Sequence, residues 1–168
     1  MMKSIPVWKQ ELSDGVHAAR LASLYCCSPA ETASEAARYT AVLDGLEKTF
    51  GSHAEAGLYS APGRTEIGGN HTDHQHGRVL AGSVNIDMIA AAAPNDKNQL
   101  RVQSEGYDLC VIDLNDLEAR KEEENTTAAL LRGECAAFTQ RGRKAGRSGH
   151  LHLFQRAEGQ RCLLFCRL

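Results

Sequence analysis

The spacing of apolar residues changes near residue 53, and this change constrains the fold more than any other feature of the 168-residue sequence. Before it, apolar side chains recur about every 3.6 residues, which predicts helices over residues 16–27 and 28–51. After it come short apolar runs bounded by Gly, Pro and Asn, which predict strands. The apolar positions of the second helix are Ala36, Tyr39, Val42, Leu43, Leu46 and Phe50, and Gly51 ends it.

The strand region is expected to begin with residues 56–64, "AGLYSAPGR", ended by a Pro-Gly turn. Residues 77–95 predict one or two strands broken near Gly82, and residues 99–106 and 108–116 predict two more joined by a turn near Gly106. A last helix is expected to begin at a cap formed by Asn125, Thr126 and Thr127. This order predicts an α/β fold of the α+β type, with a mixed sheet preceded by helices.

Composition excludes several classes of protein. A net charge of −2 argues against a general nucleic-acid binder, and no apolar run is long enough to cross a membrane. Six cysteines without an apolar leader indicate a reducing compartment. We therefore expect a cytoplasmic protein without nucleic-acid or membrane partners, and the sequence indicates no protein partner.

Residues 61–77, "APGRTEIGGNHTDHQHG", hold three of the seven histidines. A turn here would gather a cation, an amide, an imidazole and a carboxylate, which can together hydrogen-bond the hydroxyls of a sugar. The two glycines would let the main chain approach a ligand or adopt positive φ. These groups are Arg64, Gly68, Gly69, Asn70, His71 and Asp73.

Two other interpretations stay open for this segment. Arg64 and Asp73 could form a surface ion pair. Imidazole and carboxylate are also ordinary Zn²⁺ ligands, and although a strand could not direct all the histidines to one side, a loop could. A small metal-binding protein would use His71, Asp73, His74 and His76.

The segment resembles the N-terminal signature of galactokinases in the GHMP kinase superfamily, A-P-G-R-x-N-L-I-G-E-H-T-D-Y-N-x-G. The likeness extends over about residues 57–140. The departures are Asn70 for glutamate, Glu66 for asparagine, Gly68 for isoleucine and His74 for tyrosine. The residues in register are Ala61, Pro62, Gly63, Arg64, Gly69, His71, Thr72, Asp73 and Gly77.

The resemblance implies the N-terminal domain of a GHMP kinase that phosphorylates galactose with ATP and Mg²⁺. It implies that Arg64 stabilises negative charge on the transferred phosphoryl group, and that Ser104 approaches the nucleotide. Asn70 replaces a charged acceptor by an amide, so the ligand is expected to be galactose or a related hexose. The loop 64–73 would bind this sugar through Arg64, Gly69, Asn70, His71, Thr72 and Asp73.

The last 28 residues differ in composition from the rest. They hold seven of nineteen basic residues and one of twenty-one acidic residues. The glycine- and serine-rich phosphate loop of the family is missing where it is expected. Allowed codons can be chosen for residues 150–168 so that reading one base later gives I-Y-T-S-S-N-V-L-K-G-S-G-V-S-S-S-A-A, which contains that loop.

We therefore predict a reading-frame shift near residues 141–149, in the gene or in its reported sequence. The predicted organisation is a helical segment over 1–53, a partial galactokinase-like domain over 54–140 and a basic tail over 141–168. The catalytic base of the family is expected beyond residue 168, so we expect no turnover. The alternatives are a basic peptide that binds anions or RNA, an authentic edge element, or a non-catalytic sugar-binding or regulatory protein.

Overall fold

The computed structural model describes residues 2–52, 55–69, 76–142 and 149–155, the last stretch by its main chain only. The helices are α1 (Ile5–Ser13), α2 (Ala18–Tyr25), α3 (Thr32–Phe50) and α4 (Thr127–Gln140), with a short 3-10 helix at Lys121–Glu123. The strands are β1 (Met2–Lys3), β2 (Ala56–Gly68), β3 (Leu80–Pro94), β4 (Gln99–Ser104), β5 (Cys110–Asp113) and β6 (Gly149–Gln155).

The two helices predicted before residue 53 are confirmed as α2 and α3. Gly51 follows α3 with φ of 85°, a conformation that glycine adopts without strain. Helix α1 was not predicted. Its sequence places Pro6 in the first turn, where the missing N–H group has no intrahelical partner to lose.

Helix α4 begins where the cap was predicted. The Thr126 hydroxyl accepts a hydrogen bond from the main-chain N–H of Ala129 at 3.3 Å. Leu131 and Cys135 are buried on one side of this helix, as its spacing predicts.

The sheet has six strands in the order β1-β2-β3-β6-β4-β5. β4 and β6 run parallel, and the other neighbouring strands are antiparallel, so the predicted mixed sheet is confirmed. Ile89, Ala91 and Ala93 of β3 pack with α1–α3, whereas Ala90 packs with α4. Because successive residues of a strand face opposite sides, the helices cover both faces of the sheet. The predicted α+β fold is confirmed.

Two strands are longer than predicted. β2 continues through Pro62 and Gly63 instead of ending in a turn there, and β3 is unbroken at Gly82. Because β1 pairs only with Ala56 and Gly57, β2 is an edge strand beyond that point, and edge strands tolerate proline.

The core shared by the helices and the sheet crosses the predicted boundary at residue 53. It contains residues of α1, α2 and α3 together with Ala56 of β2 and three residues of β3. The division into 1–53, 54–140 and 141–168 stays a prediction. Among the described helices, none is both long enough and apolar enough to cross a membrane.

Strand β6 lies inside the predicted tail and was not expected. It pairs with β3 from Met88↔Gln155 to Pro94↔Gly149, and with β4 from Arg101↔His150 to Ser104↔Leu153. This position is interior to the sheet, not at its edge. Such pairing uses main-chain N–H and C=O groups, which almost any sequence supplies. The frame-shift prediction is therefore not tested by this strand.

Candidate functional site

Arg64 lies on strand β2, so the prediction that it belongs to a loop is wrong. It pairs with Ser83 of β3, and its side chain is exposed. The strand continues to Gly68, and its main chain is therefore fixed by the ladder with β3. An exposed guanidinium on a rigid strand presents its N–H donors at a defined place.

A large bulge precedes Arg64. Pro62 pairs with Asp87 and Arg64 with Ser83, so the single residue Gly63 opposes three residues of β3. A Cβ atom on Gly63 would lie 3.0 Å from the carbonyl oxygen of Ile86. Bulges bend a strand and redirect its side chains, so this irregularity sets the direction of Arg64.

Gly69 follows strand β2 and directly precedes residues 70–77, which we call the signature loop. It has φ of 95°, which confirms the predicted positive φ, and a Cβ atom there would overlap the carbonyl oxygen of Arg78. Gly68 differs, since a Cβ atom on it would meet nothing within 4 Å. The close approach at Gly69 is made to the main chain of Arg78 and Val79.

The predicted sugar ligands Asn70, His71, Thr72 and Asp73 lie outside the described residues. The same is true of His74, so the alternative of a metal site also stays a prediction. His76 is described and is exposed.

Ser104 lies away from Arg64. It ends β4, and its carbonyl oxygen accepts hydrogen bonds from the N–H of Tyr107 at 3.2 Å and from the side chain of Gln103 at 2.8 Å. Strands β3 and β6 separate β4 from β2, so the two residues lie at least about 14 Å apart. The structure does not bring these two predicted site residues together.

A buried carboxylate next to the bulge was missed by the sequence analysis. Asp87 is 3% exposed and accepts hydrogen bonds from Tyr25 at 2.5 Å, Ser60 at 2.6 Å and Arg38 at 2.7 Å. Its one sequence signal is an acidic residue within an otherwise uncharged strand. We name Asp87 and its three donors the Asp87 cluster.

The Asp87 cluster is charged and extends into two helices. Arg38 also donates to Glu35 at 2.6 Å, and the hydroxyls of Tyr25 and Tyr39 lie 2.8 Å apart. Burial lowers the pKa of Arg38, but hydrogen bonds to Asp87 and Glu35 outweigh it and raise the pKa overall. Burial, with the hydrogen bonds to Asp87 and Tyr39, raises the pKa of Tyr25.

A second buried ion pair lies by α4. Arg132 is 4% exposed and donates to both carboxylate oxygens of Glu123, at 2.8 and 2.7 Å. It also donates to the carbonyl oxygen of Asp116. An open groove of about 970 Å³ lies between residues 117–124 and α4, and none of the described residues of the 61–77 segment lines it.

Comparison with known proteins finds a family model that matches the hairpin formed by β2 and β3. Residues 46–94 match the family model described as the galactokinase galactose-binding signature. The chain is related to the galactokinases. The matched segment contains the whole hairpin and all of residues 61–77, so the predicted resemblance is confirmed.

Two galactokinases illustrate the extent of the similarity. The enzyme of Ligilactobacillus salivarius is 35% identical over 83 residues, which are 48% of this chain and 21% of that protein. The enzyme of Lacticaseibacillus casei is 34% identical over 68 residues, or 40% of this chain and 17% of that protein. The chain therefore spans about a fifth of the galactokinases that it matches.

The chain also shares its fold with part of a solved galactokinase. The crystal structure of Lactococcus lactis galactokinase complexed with galactose superposes with a TM-score of 0.63 at 20% identity. The match covers 71% of this chain and 31% of that one. The prediction of a GHMP kinase N-terminal fold is confirmed.

Proposed function

We propose that the β2–β3 hairpin binds galactose or a closely related hexose. The observation that carries the proposal is the coincidence of the galactose-binding signature, residues 46–94, with one hairpin that carries Arg64 and closes at Gly69. The hairpin is held by ten residue pairs, so its ends are ordered before any ligand arrives. Preorganisation of this kind lowers the entropy cost of binding.

The proposed ligands divide by chemistry. Arg64 donates from an exposed position on β2, and the carboxylate of Asp73 accepts from sugar hydroxyls. His71, Thr72 and the amide of Asn70 supply further neutral donors and acceptors. Gly69 lets the chain turn tightly at the start of this set.

The reaction proposed for the intact protein is phosphorylation of galactose to galactose 1-phosphate by ATP. Arg64 beside the reacting hydroxyl would stabilise the negative charge that moves with the phosphoryl group. Mg²⁺ would shield the phosphates of the bound nucleotide. We place this reaction in the cytoplasm.

The described residues do not fit a nucleotide site. Ser104 alone cannot hold ATP, and the carbonyl oxygen at this position is already engaged in a turn. Within residues 2–52, 55–69 and 76–142, no cluster of His, Cys, Asp and Glu could hold a metal ion. We therefore propose that this chain binds sugar without turnover.

A non-catalytic sugar-binding or regulatory role is the second candidate. It is favoured by the nature of the family model that matches, which describes a galactose-binding signature and covers residues 46–94. Both candidates require sugar binding, and they differ in whether the intact protein turns over galactose. An assay for galactose 1-phosphate with ATP and Mg²⁺ tests the lack of turnover that both predict for this chain, and formation of product by the purified, mass-verified chain would overturn it.

Isothermal titration calorimetry tests the binding proposal. We expect galactose to bind and glucose to bind more weakly, because the site is built for defined hydroxyl positions. Loss of a charged hydrogen-bonding group costs roughly 1.5–3 kcal/mol, so Arg64→Ala and Asp73→Asn should each weaken binding about 10- to 100-fold. Arg120→Ala is the matched control, since this arginine is also exposed and pairs with Asp116 far from the hairpin. Equal binding of both sugars, or none, would contradict the proposal.

A further inference from the structure

The Asp87 cluster connects the hairpin to the N-terminal helices. The carboxylate of Asp87, on β3, receives the hydroxyl of Tyr25 from α2, the guanidinium of Arg38 from α3 and the hydroxyl of Ser60 from β2. One buried carboxylate therefore ties together both strands of the hairpin and two helices. We propose that Asp87 is a positioning residue for the galactose site, an inference that rests on the proposed function.

The position of the cluster along the hairpin is the first argument. Asp87 pairs with Pro62, the last residue before the bulge, and Arg64 is the first residue paired beyond it. Ser60 pairs with Ile89, so its bond to Asp87 runs diagonally across the ladder. This bond fixes the register of the two strands immediately before the irregularity.

The bulge makes this register important. With two extra residues on β3, the ladder could resume one residue earlier or later, and a slip by one residue would turn the following side chains to the opposite face. Arg64 is the first signature side chain after the bulge. The register set by Asp87 and Ser60 therefore determines where the Arg64 guanidinium points.

The charged groups of the Asp87 cluster make the link between the hairpin and the helices strong. Arg38 is buried between Asp87 and Glu35, at 2.7 and 2.6 Å, and both carboxylates are almost fully enclosed. Removing the charge of Asp87 would weaken one of the two charged hydrogen-bonding links of the buried Arg38 and leave Glu35 as its one carboxylate partner among those named here, which is costly. Asp87 does not need to touch the sugar, because it acts through the direction of the strand.

Hydrogen exchange of the main-chain amides tests the inference without requiring sugar binding. Asp87→Asn keeps the shape of the side chain but removes its charge. We expect exchange in residues 60–68 and 80–87 to quicken about tenfold or more, because a weakened buried charged hydrogen bond changes opening free energies on that scale. Galactose affinity should fall about tenfold in the same variant.

Glu123→Gln is the matched control, since Glu123 pairs with a buried arginine beside α4. It should quicken exchange in residues 116–132 while leaving the hairpin and the galactose affinity unchanged. If Asp87→Asn does not fold, Ser60→Ala replaces it, because this variant removes only the bond between Asp87 and β2. It should show the same pattern with smaller changes.

The outcomes separate the two proposals. If the wild-type chain binds no galactose, the proposed function is contradicted, and faster hairpin exchange in the Asp87→Asn or Ser60→Ala variant then still supports the part of the inference that Asp87 orders the hairpin. Hairpin exchange equal to that of Glu123→Gln overturns the positioning role, whether or not galactose binds. An unchanged galactose affinity in a variant with faster hairpin exchange would also overturn it.

Discussion

Gly69 contacts the main chain of Arg78 so closely that a single added Cβ atom would overlap the carbonyl oxygen of Arg78. The two residues flank the signature loop, and their contact closes it. Gly69 also has φ of 95°, so both the space and the backbone conformation require glycine.

Gly69→Ala should therefore destabilise the hairpin. We expect a loss of roughly 1–3 kcal/mol in the free energy of unfolding, since non-glycine residues in unfavourable backbone regions cost about this amount. Urea denaturation followed by circular dichroism measures it. Gly68→Ala is the control, because a Cβ atom there meets nothing within 4 Å. Equal effects of the two substitutions would show that the contact with Arg78 has no role.

The core between the helices and the sheet should dominate stability. Leu43 of α3 is fully buried in it, and Leu43→Ala should cost roughly 2–5 kcal/mol in unfolding free energy. Leu24→Ala removes the same atoms from a side chain that is 51% exposed and should change stability by less than about 0.5 kcal/mol. A small effect at Leu43 would mean that α3 does not pack on the sheet.

Stability should fall in alkaline solution. The pKa of Tyr25 is raised above its ordinary value of 10.0, chiefly by burial, so the folded state holds a proton that the unfolded state releases. The stabilisation is complete below about pH 10 and is lost as the pH rises above it. Urea midpoints measured between pH 8 and 11.5 should show this fall. Tyr25→Phe should reduce its slope, and an identical slope in the variant would exclude Tyr25 as the cause.

Acid should weaken the attachment of residues 116–123 to helix α4. The hydrogen bonds from Arg132 lower the pKa of Glu123 below its ordinary value of 4.5. A lowered carboxyl pKa gives stability that is present above pH 4.5 and is lost as the pH falls through the value in the folded state. Glu123→Gln should flatten the dependence of the unfolding midpoint on pH below 4.5. A variant as acid-sensitive as the wild type would contradict this.

The features of the fold that depend on local periodicity could be predicted from the sequence. Helices α2, α3 and α4 follow from apolar spacing and caps, and the signature at 61–77 follows from its residue order. The continuation of β2 through Pro62 could not be predicted from the neighbouring residues in the sequence, because it depends on which edge of the strand has a partner.

The Asp87 cluster also could not be predicted from the local sequence. Its bond between Asp87 and Tyr25 joins residues 62 apart in the chain, and that between Asp87 and Arg38 joins residues 49 apart. Only the packing of α2 and α3 against β3 brings these groups together. Strand β6 was missed for a different reason, since the composition of the tail gave no sign that its main chain would complete the ladder.

Mapping of galactose binding by nuclear magnetic resonance tests the central claim most directly. In a titration of ¹⁵N-labelled protein, the account predicts saturable shifts of main-chain amides in residues 64–69 and 76–83, on either side of the signature loop. The amides of β4, β5 and α4 should stay unchanged, and glucose should produce smaller shifts at the same concentration. Shifts confined to residues 99–140, or no saturable shift in the hairpin, would contradict the claim that the hairpin is a galactose site.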